Sequence, residues 1–378
     1  MLNSSYLFLP FLFLCLFISI FLVNKIIKID LPNVKYNEID GLRGYLAFFV
    51  FLHHSYIWSI FLKTNEWKEP KSNLFNQFGQ TSVALFFMIT AFLFITKLIT
   101  AKNHSINWTD YIKSRFFRLF PAYFVSIIVV FIIVLILSNF QVNDSILSNF
   151  KNVIGWLFFT FSGSNDINSV SNTYLIDAGV TWSLPYEWLF YLILPLIALF
   201  FKIKVSPKNL VIYTIAFIVI AVLNHVTLKQ FLPFLGGIIV ALLIAKKSIN
   251  LKGLKYSILL VILVFILIYF FNSGKDIIPL LISTLLFLII ASGNSIFGIL
   301  LNSFSRLFGQ VTYSLYLFHG IVLFIVFKFV IGYDQVAKFS NNKYWLIIAS
   351  CIFPIVLISQ ISYKYIELPF INLFKPKK

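Results

Sequence analysis

One stretch of the sequence, GLRGYLAFFVFLHHS at residues 41–55, places an arginine and two adjacent histidines within an apolar run. Each residue of an α-helix turns by about 100°, so His54 returns to within about 20° of Arg43, whereas His53 lies about 80° to one side. Arg43 and His54 are then roughly 16 Å apart along one face. Imidazole suits general-base catalysis near neutral pH, and guanidinium suits the binding of an anion. Two simpler roles stay open: Arg43 as a membrane-surface anchor, and His54 as a hydrogen bond between helices.

Three further charged residues accompany apolar runs. Arg115 and Arg118 are three positions apart in DYIKSRFFRLFPAYF (110–124), and therefore share one face of a helix. Such a pair either binds phosphate through charge-assisted hydrogen bonds or anchors its helix at the membrane surface. Glu187, in TWSLPYEWLFYLILPL (181–196), is expected just inside the extracellular end of a span. A carboxylate there accepts a sugar hydroxyl, orients a histidine or caps the helix.

The elements that must position these residues are expected to be membrane helices. Of the 378 residues, 60% are hydrophobic and 11% are charged, whereas a soluble domain carries about 25% charged residues. The sequence therefore predicts an all-α, polytopic transmembrane helical bundle of about eleven helices. The predicted spans are 5–23, 43–62, 81–99, 121–139, 184–202, 209–225, 230–245, 256–271, 277–292, 312–331 and 345–365.

The distribution of basic residues predicts how the bundle sits in the membrane. The net charge is +17, and the segments that connect the spans alternate between a set with 21 Lys and Arg and a set with 8. The more basic set is expected in the cytoplasm. The protein is then expected in the bacterial inner membrane, with its N-terminus outside the cell and its C-terminus in the cytoplasm. We therefore interpret the basic excess as a topology signal and expect membrane lipid, not nucleic acid, as a partner.

Two observations bear on domains and on cysteine chemistry. The first apolar run lacks a positively charged n-region and a cleavage site, so we expect a retained extra helix over residues 1–30 and one membrane domain over 31–378. Cys15 and Cys351 both lie in apolar spans, which argues against a disulfide and against a metal cluster.

Six motifs in order resemble those of the family 3 integral-membrane acyltransferases. The first is R-G-x-x-A-x-x-V-x-x-x-H at 43–54, and the second is SVALFFMITAFLFITK at 82–97, in which Thr90 and Ala91 replace the usual Ser-Gly. R-x-x-R-x-x-P-x-Y and W-S-L-x-x-E-x-x-F-Y match within 110–124 and 181–196, and GQVTYSLYLFHG (309–320) and YKYIELPF (363–370) resemble the last two. The resemblance extends over residues 39–370, without a fused esterase-like domain.

The resemblance implies transfer of an acyl group, usually acetyl from acetyl-CoA, to a hydroxyl of a surface glycan or glycolipid. Acetyl-CoA is then a co-substrate, with no permanently bound cofactor and no metal. The motif selects His54 over His53, either as a general base or on a covalent route through an acyl-histidine or an acyl-serine at Ser55 or Ser314. The remaining roles it implies are catalysis by Glu187 and donor binding by Arg43, Arg115 and Arg118. Substrate contacts are implied for Trp182, Ser183, Tyr191, Tyr316 and His319, although a tryptophan here is also typical of an interfacial aromatic belt.

Two other functions compete with this interpretation. A polytopic glycan transporter or flippase also lines its pathway with intramembrane Arg, His and Glu, and it would leave acetyl-CoA intact. The unrelated membrane-bound O-acyltransferase fold also uses an intramembrane histidine, but its motif order differs.

Overall fold

A computed structural model describes residues 4–31, 35–101, 106–246 and 249–374. These residues form an all-α bundle without a β-strand, which confirms the predicted fold class. The helices are α1 (Leu9–Ile26), α2 (Asn37–Thr64), α3 (Asn73–Thr100), α4 (Trp108–Leu137), α5 (Ile146–Leu157), α6 (Leu184–Phe200), α7 (Pro207–Leu223), α8 (Leu232–Lys246), α9 (Leu254–Phe270), α10 (Ile277–Ala291), α11 (Ser303–Gln310), α12 (Thr312–Ile325), α13 (Tyr333–Ala337), α14 (Asn341–Ser362) and α15 (Leu368–Leu373).

Eight helical segments in the described part of the chain are long and apolar enough to cross a membrane, and α7, α9 and α10 are shorter apolar helices. Each of the eleven predicted spans corresponds to one of these segments. The protein is therefore a multi-pass membrane protein. Many large apolar side chains on the outer helices are exposed, such as Val222 at 65% and Phe265 at 61%, as expected of surfaces that face lipid.

Several helices begin earlier than predicted, and one predicted connection contains a helix, because polar residues can also be helical. The fourth span was expected from residue 121, but α4 begins at Trp108, where the Asn107 side chain caps it by accepting hydrogen bonds from the backbone N–H groups of Thr109 and Asp110. The segment 140–183 was expected to be a connection, yet it contains the amphipathic helix α5.

The central helices are α2, α3, α12 and α14, with α2 packed on α3 and α12, and α12 packed on α14. Gly320 of α12 lets the segment before α6 approach closely, because a Cβ atom there would lie 2.3 Å from backbone atoms of Asp177. Two turns of 3₁₀-helix in this segment, Thr173–Asp177 and Val180–Ser183, then lead into α6. The packing holds residues 180–183 beside Tyr316.

Candidate active site

Two cavities lie end to end inside the bundle. The larger, of about 580 Å³, is surrounded by the start of α2, the end of α3 and the start of α4. We call it the basic cavity, because its charged lining residues are four cations and two carboxylates: Arg43, Lys97, Arg115, Arg118, Asp40 and Glu187. The smaller, of about 140 Å³, is lined by His53 and His54 and by residues at the opposite helix ends. We call it the histidine cavity.

Three side chains, Val83, Phe87 and Tyr316, line both cavities. They form a neck between the cavities. The Tyr316 hydroxyl is fixed by hydrogen bonds to the Ser183 hydroxyl (2.9 Å) and the Val180 carbonyl (3.0 Å). Phe87 stacks on Phe234 with ring centroids 4.5 Å apart. The walls of the neck are therefore held in place from both sides.

The cations of the basic cavity are positioned by neighbouring side chains. Arg43 lies 3.9 Å from the carboxylate of Asp40, one turn earlier on α2. Arg115 donates to the Ser114 hydroxyl (2.9 Å) and its guanidinium lies 5.1 Å from the centroid of the Phe94 ring, while its buried Nε has no partner. Guanidinium groups with unused donors in an excess of positive charge form a binding site for phosphate or another anion.

Glu187 lies in this basic cavity, away from the histidine end where its role was expected. Its carboxylate accepts a hydrogen bond from the Tyr191 hydroxyl, and no side-chain cap is present at the start of α6. Tyr191 and Ser183 also line the basic cavity, whereas Trp182 lines the histidine cavity. The 3₁₀ turn before α6 thus directs two adjacent side chains, Trp182 and Ser183, to different cavities.

A chain of hydrogen bonds orients His54. The Nδ1 atom of His319 lies 3.0 Å from the Leu315 carbonyl, and its Nε2 atom lies 3.0 Å from Nδ1 of His54. A carbonyl only accepts, so this network assigns the proton of neutral His319 to Nδ1 and leaves Nε2 as an acceptor. The Nδ1–H of His54 then donates to His319, which leaves a lone pair on Nε2 of His54.

His53 and His319 have different surroundings from His54. The Nδ1 atom of His53 lies 2.7 Å from the Phe75 carbonyl, and Gly79 of α3 packs directly on its ring. His53 therefore ties α2 to α3. His319 is fully buried and lines neither cavity. It contacts the site through His54 and through the Tyr316 ring, whose centroid lies 6.2 Å from that of His319.

The two serines considered for a covalent route are placed in the packed interior. Ser55 donates to the Phe51 carbonyl, and Ser314 bonds both Ser362 and the carboxylate of Glu367. Both serines are fully buried and line neither cavity. The π-helical turn Tyr363–Glu367 that continues α14 carries Glu367 to Ser314.

Several residues of the site escaped the sequence interpretation. Lys97 adds a cation to the basic cavity, Gln80 lines the histidine cavity, and Trp67 stacks on His54 with ring centroids 6.3 Å apart. A signal for Gln80 was available, since Gln77, Gln80 and Thr81 are polar residues at helical spacing at the start of an apolar span. Within the described part of the chain, no cluster of three or more His, Cys, Asp or Glu residues is suited to a metal.

The arrangement places the basic cavity next to the cavity of a histidine that presents a free lone pair, inside a helical membrane bundle. The chain belongs to the acyltransferase 3 family, because the sequence model of that family, an acyltransferase domain, matches residues 36–372. The protein is thus an acyltransferase with a multi-pass membrane fold.

Curated relatives include the O-acetyltransferase OatA of Staphylococcus aureus strains NCTC 8325, COL and MRSA252. Each is 25% identical to this chain over 370 residues, which cover 88% of this chain and 56% of the relative. The chain thus spans little more than half the length of these relatives. No solved structure matches the chain at a comparable level of significance.

Proposed function

We propose that the protein is an O-acetyltransferase that moves an acetyl group from acetyl-CoA in the basic cavity to a glycan hydroxyl in the histidine cavity. The observation that carries this proposal is the neck, at which an anion-binding cavity and the cavity of a general base meet. The S. aureus relatives are named O-acetyltransferases, which agrees with this proposal.

The donor side of the proposal follows from charge and size. Acyl-CoA carries its phosphates at one end and its thioester at the other, so the phosphates must be bound far from the reacting carbon. The four cations of the basic cavity lie at the end of the bundle where α2 begins. By the distribution of basic loops this end faces the cytoplasm, where acyl-CoA is made.

The chemistry then falls to His54. Its Nε2 takes the proton of the acceptor hydroxyl while the hydroxyl oxygen forms a bond to the thioester carbon. The carbon–sulfur bond breaks, and the leaving thiolate takes the proton from His54. The products are an acetylated glycan and free CoA, and His54 regains its neutral form. His319 acts as a positioning residue, since it keeps the His54 ring in the tautomer with the free Nε2.

The neck favours a short acyl group. Tyr316 and Phe87 are held by their neighbours, and the histidine cavity beyond the neck has about 140 Å³, below the ~300–1,000 Å³ of pockets for drug-sized ligands. A long acyl chain that passed the neck would occupy the space of the acceptor. Acetyl leaves that space for one sugar unit, beside the exposed face of Trp182.

The proposal is tested by following both substrates with the purified protein and surface glycan from the host cell. We expect release of CoA thiol together with transfer of labelled acetate to the glycan. His54→Gln should lower the transfer rate about 10²- to 10⁴-fold, the usual contribution of a general base. The matched control is His225→Gln, because His225 is exposed in the loop after α7.

Two results would refute the proposal. A wild-type protein that moves glycan without consuming acetyl-CoA would be a transporter. A His54→Gln variant as active as His225→Gln would remove the general base from the mechanism.

A further inference from the structure

Gln80 has one half of its amide fixed and the other half unused. Its Oε1 accepts hydrogen bonds from the Gly274 N–H (2.8 Å) and the Ser273 hydroxyl (3.1 Å). A backbone N–H only donates, so the atom that faces Gly274 is the amide oxygen. The Nε2 group therefore occupies the other side, where it is buried without a partner, in a side chain that is 9% exposed and lines the histidine cavity.

The neighbouring Gln77 shows what a purely structural glutamine looks like in this helix. Its Nε2 donates to the Phe271 carbonyl (2.9 Å), and its Oε1 accepts from the Thr81 hydroxyl. Both halves of that amide are used to bind the loop after α9 and to brace α3. A buried donor without a partner costs about 1–3 kcal/mol, so the unused half of Gln80 would gain from a ligand that accepts its hydrogen bond.

The charged groups at the rim of the histidine cavity are already paired with each other. Lys275 contacts Glu69 (2.8 Å), and Lys229 contacts Asp276 (3.2 Å). Each cation thus has its own carboxylate, which reduces its attraction for an anionic group on the acceptor. The Gln80 amide is then the donor best placed to select the acceptor by hydrogen bonding.

We propose that Gln80 forms an acceptor subsite, in which Nε2 donates to an oxygen of the sugar unit next to the hydroxyl that His54 deprotonates. The subsite selects sugars with a hydroxyl or carbonyl oxygen at that position over sugars that lack it. This inference rests on the proposed function, because it assigns the glycan to the histidine cavity.

Three variants separate recognition from loop anchoring. Gln80→Met removes the whole amide. Gln80→Glu keeps an oxygen toward Gly274 and replaces the NH₂ group with a second oxygen. Ser273→Ala, the matched control, removes one bond of the loop and leaves Nε2 in place. Each is measured as transfer of labelled acetate to the host glycan by the full-length purified protein, and as slow hydrolysis of acetyl-CoA without glycan.

We expect Gln80→Met and Gln80→Glu to lower kcat/KM for the glycan about tenfold, since a neutral hydrogen bond contributes up to about that factor. This loss should exceed any change in hydrolysis without glycan. Ser273→Ala should stay within about twofold of the wild type. Wild-type transfer by Gln80→Glu would overturn the inference, as would an equal loss in Ser273→Ala, which would reduce Gln80 to a loop anchor. A wild-type protein that leaves acetyl-CoA intact would instead refute the proposed function.

Discussion

Replacing His319 tests the orientation of the general base most directly. His319 lines neither cavity, and its Nε2 is 3.0 Å from Nδ1 of His54. His319→Leu removes this acceptor and leaves the Nδ1–H of His54 with only the Val50 carbonyl, one turn earlier on α2, as a partner. A neutral hydrogen bond contributes about 0.5–1.5 kcal/mol, so the rate of transfer should fall about 2- to 12-fold, at about 1.4 kcal/mol per factor of ten.

The loss should appear in kcat, measured as labelled acetate transferred at saturating glycan, with little change in KM for either substrate. His319→Gln offers an amide oxygen near the position of Nε2 and should recover part of the rate. His225→Leu serves as the control for a histidine lost outside the site. The thermal midpoint of each purified variant shows whether the fold is retained.

The double variant decides between positioning and an independent role. Once His54 is replaced by alanine, His319 has nothing left to orient, so adding His319→Leu should lower the rate no further. If the two losses multiply instead, His319 acts on the substrate directly and the assignment of tautomers is wrong.

Three further predictions concern the donor, the acyl group and pH. Arg115→Gln should raise KM for acetyl-CoA about 10- to 150-fold, as expected for the loss of a charge-assisted hydrogen bond. The control is Lys113→Gln, at an exposed position of the same helix, which should leave KM within about twofold. Equal effects of the two variants would make Arg115 a topology anchor. Phe87→Ala opens the neck and should raise the rate with butyryl-CoA relative to acetyl-CoA severalfold, and an unchanged ratio in a thiol-release assay would show that the neck does not limit chain length. Burial raises the pKa of Asp177, in the segment before α6, to about 7. In the folded protein this carboxyl group therefore holds a proton that it releases near pH 4 in the unfolded chain. The free energy of unfolding should then fall as the pH rises from 4 to 7. Asp177→Asn should flatten this decline in thermal midpoint; an unchanged pH dependence would contradict it.

The sequence predicted the membrane bundle well because apolar length alone defines a span. It placed Arg43 and His54 on one side of α2, a geometry that follows from the helix itself. It did not reveal that His319 bonds His54, since these residues are 265 positions apart and meet only through the packing of α12 on α2. From the motif alone, His319 was predicted to contact the substrate.

Glu187 shows a second limit. Its position near the start of an apolar run suggested the side of the acceptor, because depth along a span was the only guide. The structure inserts a 3₁₀ turn at Val180–Ser183, packed against Tyr316, and the next turn of helix then points Glu187 toward the arginines. This direction depends on how deeply the segment before α6 enters the bundle, which Gly320 permits and which no local pattern in 173–183 reports.

The neck has a consequence for the cell that is separate from chemistry. If two water-accessible cavities were joined freely across a bilayer, protons would leak through them. Such a leak would dissipate the proton gradient across the membrane. Val83, Phe87 and the tethered Tyr316 ring lie between the two cavities, and in the proposed mechanism they would limit the passage of water and protons. Enlarging the neck to admit longer acyl chains should therefore carry a physiological penalty, seen as slower growth of cells that express the widened variant. In the proposed mechanism, the same three side chains must let a two-carbon fragment pass through the membrane interior while they hold back ions.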